Sequence, residues 1–208
     1  MSAPLPALPP AFGVSDEDVR PGGRSMLDLL ADDHELVSAL CQQLRETTGS
    51  PARPPVAEVL VATLSRHLSA EEQYLYPTVR AVLPDGAHLA EQEVAEDAAM
   101  LQTLRRLHGM PPDDPEFPGV VDTITRQVRR HTTCASTEVF PRLRELCSGN
   151  ELIRLGNRVE IARDAAPTRP HPATPLTPPV NKVVDPAVGV LDKVRDLLTR
   201  RITRPEEL

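Results

Sequence analysis

The sequence predicts an all-α protein: an antiparallel up-down four-helix bundle with extra C-terminal helices and a Pro-rich extended segment. Three observations carry this. Aromatic residues make up 2% of the 208 residues, with no Trp, and strands draw on aromatic and β-branched side chains. Apolar residues recur at alternating steps of three and four in four separate stretches, as on a helix with one buried face. The connections between those stretches are short and marked by Pro and Gly, so consecutive helices must run antiparallel.

Residues 1–24 read as a flexible arm. They are Pro-rich and lack the basic and apolar regions of a signal peptide. The bundle is expected over 25–166. Ser25 stands where an N-cap belongs, with Asp28 three residues on. From there Leu30, His34, Val37, Cys41 and Leu44 share one face of a first helix, which the Gly and Pro residues between Thr47 and Pro55 end. A second helix runs from Pro55 to Leu83, with Leu60, Leu64, His67, Glu71, Tyr74 and Leu75 inward and a disturbance at Pro77. Pro84-Asp85-Gly86 is a turn.

The third helix spans Ala87 to His108, with Leu89, Glu93, Asp97, Met100 and Leu104 on one side. After a loop to Pro118, a fourth covers Gly119 to Cys147, with Val121, Ile124, Val128, His131, Ala135 and Leu146 inward. A shorter fifth runs from Glu151 to Ala165. Residues 167–208 form a Pro-rich linker followed by an amphipathic helix over 188–202. No fixed-period repeat is present.

Charge and composition exclude several functions. A net charge of −7 without a basic stripe argues against nucleic acid. No apolar run approaches the roughly 20 residues that cross a bilayer, so stable membrane insertion is not expected. Cys41, Cys134 and Cys147 are an odd count without CxxC spacing, which suits reduced thiols in the cytoplasm. No GxSxG elbow, P-loop or dinucleotide fingerprint occurs.

The histidines and buried-face acids are the informative residues. His34, His67 and His131 fall on apolar faces, each in the middle third of its helix, so an antiparallel bundle brings them to one height. Glu71 follows His67 by four residues and shares its face. Glu93 and Asp97 repeat that spacing on a stripe of Leu and Met. Charged groups are rarely buried without a partner, and an unpaired ion inside a bundle is costly. Two resolutions are open: a bound cation, or acids that turn to solvent or pair with arginines. Imidazole mixed with carboxylate is a ligand set for non-haem iron, manganese or zinc.

Four segments carry a family resemblance: ADDHELVSAL, RHLSAEEQYLYP, AEDAAMLQTL and RHTTCASTEVFP, one per helix. The second has a His-x-x-x-Glu-Glu pattern ending in an aromatic-Pro pair. From Ser25 to Cys147 the sequence resembles the hemerythrin (HHE cation-binding) family, and its tail APTRPHP resembles those of actinobacterial members. The resemblance implies that His34, His67, Glu71 and His131 occupy positions that hold a bridged di-iron centre. It also implies a role in carrying or sensing oxygen, or in handling iron, nitric oxide or peroxide.

The sequence departs from that family at two places. Asp97 stands where members have His, and Ala135 and Ser136 stand where they have a carboxylate. Glu138 is about 10 Å along the axis from His131, too far to share its ion, and Cys134 is a further conceivable ligand. A dinuclear iron site, a mononuclear one and no metal therefore all remain open. The candidate metal ligands are His34, His67, Glu71, Glu93, Asp97 and His131. One function is a non-haem iron protein whose partner is a small oxidant, with Tyr74 near enough to assist. The other is a metal-free interaction module, whose C-terminal tail docks on a protein partner or back onto the bundle.

Overall fold

A computed structural model describes residues 23–47, 53–111, 113–166, 168–169, 196 and 202–208. Helix α1 (Met26–Glu46) starts at Ser25, whose side chain accepts from the Leu27 N–H. Helix α2 (Arg53–Ala70) passes through a π-helical turn (Glu71–Leu75) into α3 (Tyr76–Val82). Helix α4 (Gly86–Leu107) ends before Gly109, whose φ of 74° is the left-handed conformation favoured after a helix. Helix α5 (Phe117–Cys134) likewise passes through a π-helical turn (Ala135–Val139) into α6 (Phe140–Leu146). Helix α7 (Gly149–Ala165) opens with a Ser148–Glu151 capping box, and Pro205–Glu207 form one 3-10 turn. No strand occurs among the described residues.

The four rods are α1, α2–α3, α4 and α5–α6. Side-chain pairs show their directions. Asp28, His34 and Arg45 of α1 meet Arg144, His131 and Asp122 in turn, so α1 and α5–α6 run oppositely. Asp85 and Asp97 meet Arg142 and His131, so α4 and α5–α6 do too. Helix α7 packs on α1 and α2. A Cβ on Gly156 would collide with the Arg24 carbonyl oxygen and lie 2.9 Å from the Met26 nitrogen. The missing side chain therefore lets α7 touch the start of α1. Helix α2 is consequently buried on nearly every side, rather than on the single inner face its periodicity indicates.

The interior is two apolar clusters. One gathers Met26, Leu30, Tyr74, Leu75, Phe140 and Leu143 with α7 residues such as Leu155 and Val159. The other gathers Val37, Leu44, Leu60, Leu64, Met100, Leu104 and Ile124. His34 on α1, His67 on α2, Asp97 on α4 and His131 on α5 lie between them.

The π-helical turns correct two details of the sequence reading. Each precedes a proline (Pro77, Pro141), and each closes with an N–H bonded five residues back, Tyr76 to Glu71 and Phe140 to Ala135. Opening the turn accommodates a residue that lacks an N–H and crowds the preceding turn. It also inserts one residue into the helical register. Leu146 is therefore 43% exposed, while Leu143 and Cys147 face inward. For the same reason Tyr76, not Tyr74, reaches the histidine layer, and Tyr74 packs in the first apolar cluster.

The Pro-rich linker and most of the helix expected over 188–202 lie outside the described residues, as do residues 1–22 of the expected arm. The described tail residues fold back on the bundle. Arg66 donates to the Thr203 carbonyl at 2.7 Å, and Arg169 meets His108 at 3.0 Å and Asp196 at 2.6 Å. No described helix is long and apolar enough to cross a membrane.

Candidate metal centre

Helical periodicity brings three imidazoles to one point. The Nε2 atoms of His34, His67 and His131 form a triangle with edges of 3.0, 3.2 and 3.2 Å. Glu71, one turn beyond His67, closes it. Its Oε1 lies 3.4 Å from His67 Nε2 and 3.6 Å from His34 Nε2, and its Oε2 lies 3.2 Å from His131 Nε2. All four residues are buried, and their donor atoms lie within 4.8 Å of one another.

A second layer orients the rings. His67 Nδ1 faces Asp33 Oδ2 at 3.3 Å, and His131 Nδ1 faces Asp97 Oδ1 at 3.4 Å. Asp33 pairs in turn with Arg163 of α7. Asp97 accepts from the Tyr76 hydroxyl at 2.6 Å. A carboxylate against Nδ1 keeps a proton there, so in the neutral ring Nε2 presents its lone pair to the triangle. His34 has a different support, lying parallel to the Phe140 ring with centroids 5.6 Å apart.

Converging lone pairs and a buried carboxylate need positive charge between them. Oε1 of Glu71 is buried without a hydrogen bond. In the metal-free protein protons supply that charge. Burial lowers the His67 pKa, but the Glu71 charge and the Asp33 contact outweigh it and lift the value to about 9. His131 is raised well above 6.5 in the same way, against burial, by Glu71 and Asp97. His34 goes the other way: burial takes it to about 4, against partial opposition from Glu71. Burial would raise Glu71, yet His67 and His131 hold it well below the usual carboxylate range.

The linkage has a definite sign. A raised His67 contributes stability that is lost as pH climbs from 6.5 through about 9. A lowered His34 makes stability fall as pH drops from 6.5 through about 4. On the acid side Asp97 and Glu93, raised by burial, oppose His34, so the clear expectation is a loss of metal-free stability as pH climbs from 6.5 through about 9, measured by denaturant unfolding. A flat profile would contradict these buried charges.

The donor set fits a cation. Ligand atoms bonded at about 2.1 Å and meeting at right angles stand roughly 3 Å apart, which is the spacing of the triangle. Three carboxylates (Glu71, Asp33, Asp97) face one guanidinium (Arg163). A cation between them offsets that excess of carboxylate.

Of the six candidate ligands, the structure brings together His34, His67, Glu71 and His131. It does not bring Asp97 or Glu93 into that cluster. Asp97 backs the far nitrogen of His131. Glu93 is buried against Arg130 at 3.1 Å, and Arg130 also reaches Glu96 at 3.6 Å. Cys134 lies outside the cluster of donor atoms, and burial and the Glu93 charge push its thiol up to about 12. Glu138 is exposed.

Sequence reasoning missed Asp33, Tyr76 and Arg163. Asp33 was within reach, since it lies three residues after Leu30 and four before Val37 on the inward stripe. Tyr76 was hidden by the π-helical turn, and Arg163 by tertiary packing alone.

Helices α2–α3 and α5–α6 also correspond to each other. Each carries Arg-His (Arg66-His67, Arg130-His131), a π-helical turn starting four residues after that His, and an aromatic-Pro pair (Tyr76-Pro77, Phe140-Pro141). Glu71 opens the first π-helical turn and Ala135 the second. The carboxylate is thus present in one half only.

Comparison with known proteins agrees with this site. The chain is 22% identical over 174 residues to an uncharacterised hemerythrin-like protein of Schizosaccharomyces pombe, covering 83% of this chain and 86% of that protein. It is 23% identical over 136 residues to a protein of Nostoc sp. named DNA nickase, covering 65% of this chain but 38% of that protein. No solved structure matches. The signature of the hemerythrin HHE cation-binding domain matches residues 25–143, which include all three triangle histidines, Glu71 and both supporting aspartates. The chain therefore belongs to the hemerythrin HHE cation-binding domain family.

Proposed function

We propose that the protein binds a single iron ion through His34, His67, Glu71 and His131, and that this site meets a small oxidant such as oxygen, peroxide or nitric oxide. The triangle of Nε2 atoms closed by the buried, unbonded Glu71 oxygen carries the reading. One ion is favoured over two because Ala135 supplies no second carboxylate and Asp97 turns to the far side of His131. Bound iron would supply one-electron chemistry with small oxidants.

The chain's own residues set the conditions for it. Asp33 and Asp97 hold protons on the Nδ1 atoms and make two imidazoles more electron-rich, which favours the more highly charged state of an ion. The Tyr76 hydroxyl fixes Asp97 and lies 3.3 Å from Glu71 Oε2, linking the two carboxylates. The two apolar clusters exclude bulk water from either side. Three cysteines kept as thiols suit a reducing compartment such as the cytoplasm.

The test is anaerobic reconstitution with ferrous iron, followed by elemental analysis and absorption spectroscopy on exposure to each oxidant. About one iron per chain and a charge-transfer band on oxidation are expected. No retained iron and no band would refute the reading. The tail contacts at Arg66, His108 and Arg169 favour a tail that straps the bundle itself over one that recruits a partner.

A further inference from the structure

We infer that Arg163, on a helix beyond the family-matched residues 25–143, is a positioning residue for His67 and acts through Asp33. This rests on the ion-binding reading above, because His67 matters as a ligand only there. The two oxygens of Asp33 divide the work. Oδ1 pairs with the Arg163 guanidinium, and Oδ2 faces His67 Nδ1 at 3.3 Å. Asp33 is 2% exposed, so water cannot replace either partner.

The register that makes this contact is built into α7. Gly156 touches the backbone between Arg24 and Met26. Seven residues on from Gly156 is Arg163, and seven on from Met26 is Asp33. The two helices therefore run in the same direction, and a close approach between the middle of α7 and the start of α1 sets the pairing two turns later.

The cation balances the carboxylate's charge, which a neutral donor does not. A lone buried carboxylate beside an imidazole competes for the Nδ1 proton, whereas one balanced by a guanidinium leaves it on the ring. Asp97, behind His131, accepts instead from the neutral Tyr76 hydroxyl. The two backed histidines are thus held by different devices, and the stronger one comes from outside the four-helix core.

A plain tether between α7 and α1 would hold the helix without affecting the ligand, and the experiment separates the two. Cobalt(II) is titrated into wild type, Arg163→Met, Arg163→Lys, Asp33→Asn and the Asp33→Asn/Arg163→Met double variant, reading affinity and the visible ligand-field spectrum. Arg163→Met is expected to weaken binding about tenfold, as outer partners of metal histidines commonly do, with shifted bands. Arg163→Lys should recover part of the loss. In the Asp33→Asn background, Arg163→Met should add nothing.

Unchanged affinity and spectrum in Arg163→Met, or fully additive losses in the double variant, would overturn the inference. A second readout needs no metal. The nitrogen-coupled resonance of the His67 Nδ1 proton should move or broaden in Arg163→Met, and an unmoved signal overturns the inference on its own. If wild type takes up no cobalt, the ion-binding reading falls, and the proton resonance still decides whether Arg163 acts on His67.

Discussion

Replacing Glu71 by glutamine is expected to weaken metal binding by roughly a hundredfold and to destabilise the metal-free fold at neutral pH. The carboxylate is fully buried and faces all three Nε2 atoms. Four-ligand sites in small proteins bind with about 10–16 kcal/mol. One ligand of four is then worth about 3 kcal/mol, or roughly a hundredfold in Kd. Removing one partner of a buried charge pair costs about 3–5 kcal/mol. The lower end applies here, because His67 and His131 can shed the protons that Glu71 holds on them. Competition titration with a chromophoric chelator and denaturant unfolding of metal-free protein read the two effects. Glu93→Gln is the control: its carboxylate pairs with Arg130 rather than with the triangle, so affinity should stay near wild type. Equal affinities for wild type and Glu71→Gln would remove Glu71 from the site.

Gly156→Val should be strongly damaging although it lies outside the histidine layer. The new side chain would meet the Arg24 carbonyl, the Ser25 carbonyl carbon at 3.0 Å and the Met26 nitrogen at 2.9 Å. Backbone atoms cannot swing aside as a side-chain tip can. Overpacking of this kind costs about 3 kcal/mol, and in a chain of this size that lowers Tm by roughly 6–12 °C. Displacing α7 also carries Arg163 away from Asp33, so metal affinity should drop with stability. Gly149→Ala, at the start of the same helix, meets nothing within 4 Å and should stay within about 0.5 kcal/mol of wild type. A Gly156→Val protein as stable as Gly149→Ala would show that the approach of α7 to α1 is not fixed by this contact.

Much of this was legible in the sequence, for reasons that differ by residue. Stripes such as Leu30-His34-Val37 and Leu64-His67-Glu71 follow helical geometry directly, so helix number, order and the height of the histidines could be read. The approximate limits could be read too, because Ser25, Pro84-Asp85-Gly86 and Ser148 act locally. The division of labour among the acids could not. Glu71, Glu93 and Asp97 look alike on their stripes. Whether each meets a lone pair, Arg130 or the far side of His131 depends on packing between rods. The one-residue shift at each π-helical turn was equally hidden, since a steady 3.6-residue period places Leu146 inside and Tyr76 elsewhere. The correspondence between α2–α3 and α5–α6 escaped a search for periodicity because it is a likeness of two segments, not a repeating unit.

The division of the apolar interior into two clusters has a consequence for motion. A continuous core transmits a disturbance at one end to the other, because each layer of side chains interlocks with the next. Here the message must cross a stratum of imidazoles and carboxylates, whose contacts depend on charge and not on shape. Fraying near Leu44 and Leu107 can therefore proceed while the end around Met26 and Leu143 keeps its packing. An ion held by side chains of three rods would span that stratum from within, and it would tie the two ends into one cooperative body.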